Sequence, residues 1–176
     1  MISVMPRAMQ IAPGFMPARL YLGASLAAAN RHKEAAGLIQ SAANTPPNAV
    51  VARLAGEEWI KAGQPVLAIT PLELAMLQPG VDARTRKLMG MAYVLGGRPA
   101  DAVAVLTPYL ETNPGDQSAQ LAAIFGTYIR HLNAPQPATL AADKINIAKW
   151  SKAYSASKGA MQPLVSAWVT HVQSLR

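Results

Sequence analysis

Cysteine is absent from this 176-residue chain, which removes disulfides, thiolate metal sites and a cysteine nucleophile. Aromatic residues are scarce, at 6% against 51% hydrophobic overall, so alanine supplies much of the apolar fraction. Alanine is the best helix former and lets helices approach closely, which argues for packed helices rather than a β-sandwich. Long apolar runs are also missing: none approaches the ~20 residues needed to cross a bilayer. The first 15 residues, broken by Pro6 and Pro13, lack a basic start followed by an apolar block and do not read as a signal peptide. These absences predict a soluble chain with one domain's worth of core, its compartment (cytoplasm or periplasm) left open.

Acidic residues are outnumbered nine to sixteen, leaving a formal charge of +7 and a pI near 10.0. The basic residues are scattered from Arg7 to Arg176 without a block of five, which weighs against nucleic acid as the partner. The densest acid-free cluster, Lys144, Lys149, Lys152 and Lys158, reads as a solvated helix face.

What is present is a period. Gly23, Gly56 and Gly90 are followed three residues later by a large side chain, Leu26, Trp59 and Tyr93. A turn residue comes next (Asn30, Gly63, Gly97), then a small one (Ala35, Ala68, Ala102), then a big aliphatic (Ile39, Leu72, Leu106). Each unit closes near a proline: Pro47, Pro79, Pro114. Small residues let a partner helix sit close, and the residue three along fills space on the same face. Asn or Gly takes the left-handed conformation that stops a first helix, and Pro65 and Pro99 suit the first position of a second.

This pattern resembles the tetratricopeptide repeat (TPR), a 34-residue helix–turn–helix unit. The resemblance implies an all-α, right-handed α-solenoid of antiparallel helix pairs. Three units are expected at about 16–49, 50–82 and 83–116. Residues 1–15 match the second helix of a further unit, with Ala8 and Pro13 in register with Ala42 and Pro47, so a piece of a longer, bacterial TPR protein is expected. Leu26 replaces the usual aromatic, and Tyr109 stands where Ala42 and Ala75 stand. Pro71 and Pro108 fall inside second helices and predict a kink in each.

Residues 117–176 depart from the period and are expected to form a degenerate unit and an irregular helical cap, as solenoid ends do. Helices are predicted over about 117–132 (Leu121, Ile124, Phe125, Tyr128 and Leu132 on one face), 140–157 (Ile145, Ala148, Trp150, Tyr154) and 162–175.

Tyr154 and Lys158, four apart among small residues, resemble the catalytic segment of short-chain dehydrogenases. That chemistry needs a glycine-rich turn between a strand and a helix for the cofactor pyrophosphate, and none exists here. Tyr154 is therefore expected to pack on a helix that Gly159 ends. Ser155 and Lys158 have the penicillin-binding spacing with its fold requirements equally unmet. His32, His131 and His171 lie far apart and are expected in surface or capping roles. No enzyme, cofactor or metal is predicted.

The resemblance places binding on the concave face of the first helices. There it puts Arg53, Glu57 and Ile60 in one unit, Arg84, Lys87, Met91 and Val94 in the next, and Phe125 and Tyr128 in the last. Each set keeps the spacing of one helical stripe. The expected function is a non-enzymatic scaffold, an assembly or export adaptor, holding a protein or peptide with acidic residues beside apolar anchors. The chaperone-type carboxylate clamp is not expected, because Glu57 follows Arg53 and Met91 follows Lys87 where that clamp needs Asn. Self-association through the half-unit, giving a homodimer, is the alternative; an RNA-binding helical repeat is a more distant one.

Overall fold

Alanine-rich stretches punctuated every 33 or 34 residues by turn residues become helix pairs. The computed structural model describes residues 15–43, 47–77, 79, 81–132 and 136–176. The described residues contain α1 Met16–Ala28, α2 His32–Ala43, α3 Ala49–Lys61, α4 Pro65–Met76 and α5 Ala83–Leu95. They continue with α6 Pro99–Thr112, α7 Gln117–Leu132, α8 Pro137–Ala156 and α9 Gln162–Ser174. The half-unit expected over 1–15 lies almost entirely outside the described residues. Two compact units, 1–88 and 89–176, divide the chain within α5.

In the first unit the turn residues behave as their types require: Asn30 and Gly63 adopt φ of 59° and 70°. Pro65 opens α4, where its missing N–H leaves no bond unmade. α3 and α5 begin with a side-chain cap, whereas α1 follows Phe15 without one. Asn48 Oδ1 accepts the Val51 N–H at 3.1 Å, and Asp82 Oδ1 the Thr85 N–H at 2.6 Å. The core is mostly alanine, with Ile39 and Val51. Bare backbone at Gly23 and Gly56 admits Ile39 and Leu72; a Cβ on either glycine would come within 2.5 Å of that side chain. Trp59, the large residue of its unit, is 9% exposed and donates its indole N–H to Gln40 Oε1 at 2.6 Å. Pro71 sits within α4, which runs on through it to Met76.

The second unit repeats the device once: Gly97 has φ 79°, Pro99 opens α6, and Leu106 packs onto Gly90. Asp116 supplies the third cap, accepting the Ala119 N–H at 3.1 Å. The caps at 48, 82 and 116 thus keep a strict 34-residue spacing. Tyr109, the departure from the small residue of the period, gives its hydroxyl proton to Asp116 Oδ2 at 2.7 Å. Burial first, then the bond to Asp116 and its charge, push the phenol up to about 12. The substitution ties the end of α6 to the start of α7.

Beyond α7 the core gains Leu140, Ile147, Trp150, Tyr154, Val165 and Val172. Three expectations need correction here. The buried stripe of α8 is Leu140, Asp143, Ile147, Trp150 and Tyr154, whereas Ile145 is 71% exposed and Ala148 is exposed as well. A charge stands inside that stripe because His131 and Arg130 reach it, at 2.8 and 3.3 Å from Asp143 Oδ2. His131 is accordingly no surface residue: it is fully buried. Its Nδ1 accepts the Gln136 backbone N–H at 3.0 Å, which leaves the proton for Asp143 on Nε2. His32 likewise meets a carboxylate, Glu58 Oε2 at 2.7 Å. Finally, Lys158 rather than Gly159 takes the left-handed φ, 55°, after α8. Gly159 is glycine for another reason: the Tyr154 ring lies where its Cβ would be.

Candidate functional site

The expected contact residues fall into two groups, one in each compact unit. In the first unit Arg53 and Glu57 are four apart on α3, and both side chains are largely buried. Arg53 lies 3.5 Å from Glu57 Oε2 and 3.6 Å from Asp82 Oδ2. Arg84, at the start of α5, donates to Glu57 Oε1 at 2.6 Å, and Lys61 approaches the same oxygen at 3.1 Å. Ile60 and Lys87 are half-buried beside them in sequence register.

Burial would raise the Glu57 carboxyl, but hydrogen bonds from Arg84 and Lys61, and their charges, hold it below the ordinary glutamate range. Asp82 is also held low, chiefly by the Thr85 hydroxyl, with its backbone N–H and the charges of Arg53 and Arg84 adding to that. The arginines expected to meet acidic residues of a partner are therefore bound to carboxylates of the same unit. Glu57, included in the predicted set as a stripe position, is the hub.

The second group is apolar. Met91 and Val94, with Leu95, form one wall from the C-terminal half of α5. Leu121 and Phe125 form another from α7, and Met161 and Trp168 close the third side from α9 and the residue before it. Together with Ser118 and Ala122 they enclose a cleft of about 430 Å³. Among the described residues no charged side chain lines it, and the polar side-chain groups are the Ser118 hydroxyl and the Trp168 indole N–H. The floor is a cluster of rings: Phe125 and Trp168 have centroids 4.9 Å apart, and Tyr128 stacks on Trp168 at 5.9 Å. His171 meets the Tyr128 ring edge-on at 5.3 Å. The mouth is open to water, since Leu95 is 57% and Met161 38% exposed.

Met91, Val94 and Phe125 of the predicted set thus line one cleft, with Tyr128 stacked behind it. Trp168 and Met161 were missed. The signal was the same helical stripe, continued onto a helix that the 34-residue period does not reach.

No family model matches the sequence, and no curated protein does. A solved structure does resemble it: that of YrrB, described as a TPR protein with an unusual peptide-binding site. The two superpose with a TM-score of 0.72 at 18% identity, over 99% of this chain and 82% of YrrB. The fold is that of a TPR solenoid. The all-α reading and the TPR resemblance of the helix pairs both stand on this finding. Among the described residues, no helix is long and apolar enough to cross a membrane.

The dehydrogenase-like pair dissolves within this fold. Tyr154 is 3% exposed, and its hydroxyl accepts the Met161 backbone N–H at 3.2 Å. Lys158 is exposed in the turn that follows.

Proposed function

We propose that this chain is a non-enzymatic scaffold that holds a protein or peptide against the first helices of its pairs. One observation carries the reading: an open cleft of about 430 Å³ walled by apolar side chains, three of which stand at first-helix stripe positions. Apolar surface left open in this way marks interaction sites more often than it serves stability. The peptide-binding site described for YrrB supports the same reading through the shared fold. The contact residues it assigns are Arg53, Glu57, Ile60, Arg84 and Lys87 in the first unit. In the second they are Met91, Val94, Phe125 and Tyr128. An assembly or export adaptor is the role such a scaffold would fill.

Site-specific photo-crosslinking in living cells tests this. A benzophenone amino acid would replace Met91 or, as a control, the exposed Ala104 of α6. The reading expects a discrete crosslinked product from position 91 and none from 104. Equal labelling at both positions, or none at either, would count against it.

A further inference from the structure

The occupant of the second-unit cleft is constrained by what its walls can and cannot offer. Three helices build those walls, and beyond the helix starts at Ser118 and Met161 their backbones bond their own polar groups. The lining adds one hydroxyl and one indole N–H. An extended peptide laid here would leave its N–H and C=O groups without partners on the protein side, a penalty that recurs at each buried residue. A helical segment brings its backbone already bonded and presents only side chains. Charge selects in the same direction: with no ionic side chain in the lining among the described residues, a carboxylate or ammonium entering the cleft would lose water and gain no partner there.

Arg53 and Arg84, the arginines among the expected contact residues, already face Glu57 and Asp82 in the first unit. The ring pair of Phe125 and Trp168, 4.9 Å apart, offers faces and edges suited to aliphatic or aromatic side chains. Met91 and Met161, unbranched and polarizable, can adjust to the shape that enters.

From this geometry we infer that the cleft receives an amphipathic helix of a partner protein, anchored by uncharged aliphatic or aromatic residues spaced three or four apart. The inference rests on the scaffold reading and names the chemistry of its partner. It replaces the expected peptide with acidic residues beside apolar anchors by a helix whose anchors are uncharged.

The test is selection from a random peptide library, each peptide about 16 residues so that a helix can form on binding. The immobilised protein is the full chain. Enriched sequences with apolar anchors at i, i+3/i+4 and i+7 are expected. Their affinity should change less than about twofold between about 0.05 and 0.5 M salt, because no ion pair is formed. Leu95→Lys and Met161→Lys change exposed rim residues and so preserve folding, which circular dichroism would verify. Each should weaken binding at least about tenfold. Lys152→Glu, on the exposed face of α8, should leave it unchanged.

Peptides with alternating anchors, or acidic peptides released by salt and lost with Arg84→Glu, would overturn the inference while the scaffold reading survives. Enrichment of nothing would overturn both.

Discussion

Leu72 rests on the bare backbone of Gly56, and a Cβ at residue 56 would meet Leu72 Cγ at 2.5 Å. The same relationship joins Ile39 to Gly23 and Leu106 to Gly90, sixteen residues apart each time. It sets how closely the two helices of a pair approach. Gly56→Ala must push aside a leucine that is completely buried, so overpacking should cost about 1–3 kcal/mol in urea unfolding. Combining it with Leu72→Ala should cost clearly less than the two single changes added together, because they share one space. Additivity would mean that this contact does not set the helix spacing.

Most of this packing was legible in sequence because it recurs. A small residue, a large one, a turn and an aliphatic, in register three times, constrain helix faces more than propensity does. Asn48, Asp82 and Asp116 recur at the same interval, yet their role became visible only in the bonds to Val51, Thr85 and Ala119. Past residue 116 the repetition stops. There Asp143 occupies a buried stripe position that polarity alone would place outside, and Ile145 is exposed where apolarity would place it inside. A partner twelve residues away, His131, reverses the expectation for Asp143, and no local pattern announces it. For the candidate site, spacing found the walls from α5 and α7 and missed the wall from α9. Stripe spacing offered Arg53 and Arg84 to an acidic partner, because pairing with Glu57 and Asp82 across two helices leaves no trace in spacing.

Gly159 and Lys158 provide a contrast between packing and backbone strain. Gly159→Ala drives a methyl group into the Tyr154 ring and should destabilise by about 1–3 kcal/mol. Lys158→Gly relieves a left-handed residue at φ 55° while adding chain entropy to the unfolded state. The two effects nearly cancel, and the change should stay within about 0.5 kcal/mol of wild type. Thermal melts of the two variants would separate these effects. A larger loss from Lys158→Gly than from Gly159→Ala would reverse the assignment.

Asp143 holds the connection between α7 and α8 through His131 and Arg130. Asp143→Ala leaves a fully buried imidazole N–H and a mostly buried guanidinium without their acceptor. The expected loss is about 3–5 kcal/mol in urea unfolding. Hydrogen exchange should locate the loosening at the end of α7 and the first turns of α8. Wild-type stability in this variant would make the pair incidental.

Acid sensitivity should come from the first unit. Glu57 and Asp82 are both held below their ordinary values, of about 4.3 and 3.9. Groups lowered in the folded state stabilise it above the unfolded value, and that contribution fades as pH falls through the folded one. Stability should therefore hold from neutral pH to about 5 and drop below about 4. Glu57→Gln should make that drop shallower. Urea midpoints measured across this range would check it, and an unchanged acid slope in Glu57→Gln would remove Glu57 from the account.

The most direct test of the binding account uses the three tryptophans as reporters. Trp59 and Trp150 are 9% and 4% exposed in the two cores, while Trp168 lines the cleft. Labelled with 5-fluorotryptophan, the chain should give three fluorine resonances, to which a library-selected helical peptide is then added. The account predicts that the Trp168 resonance moves and saturates while those of Trp59 and Trp150 stay in place. Saturable binding that leaves the Trp168 resonance unmoved would contradict it.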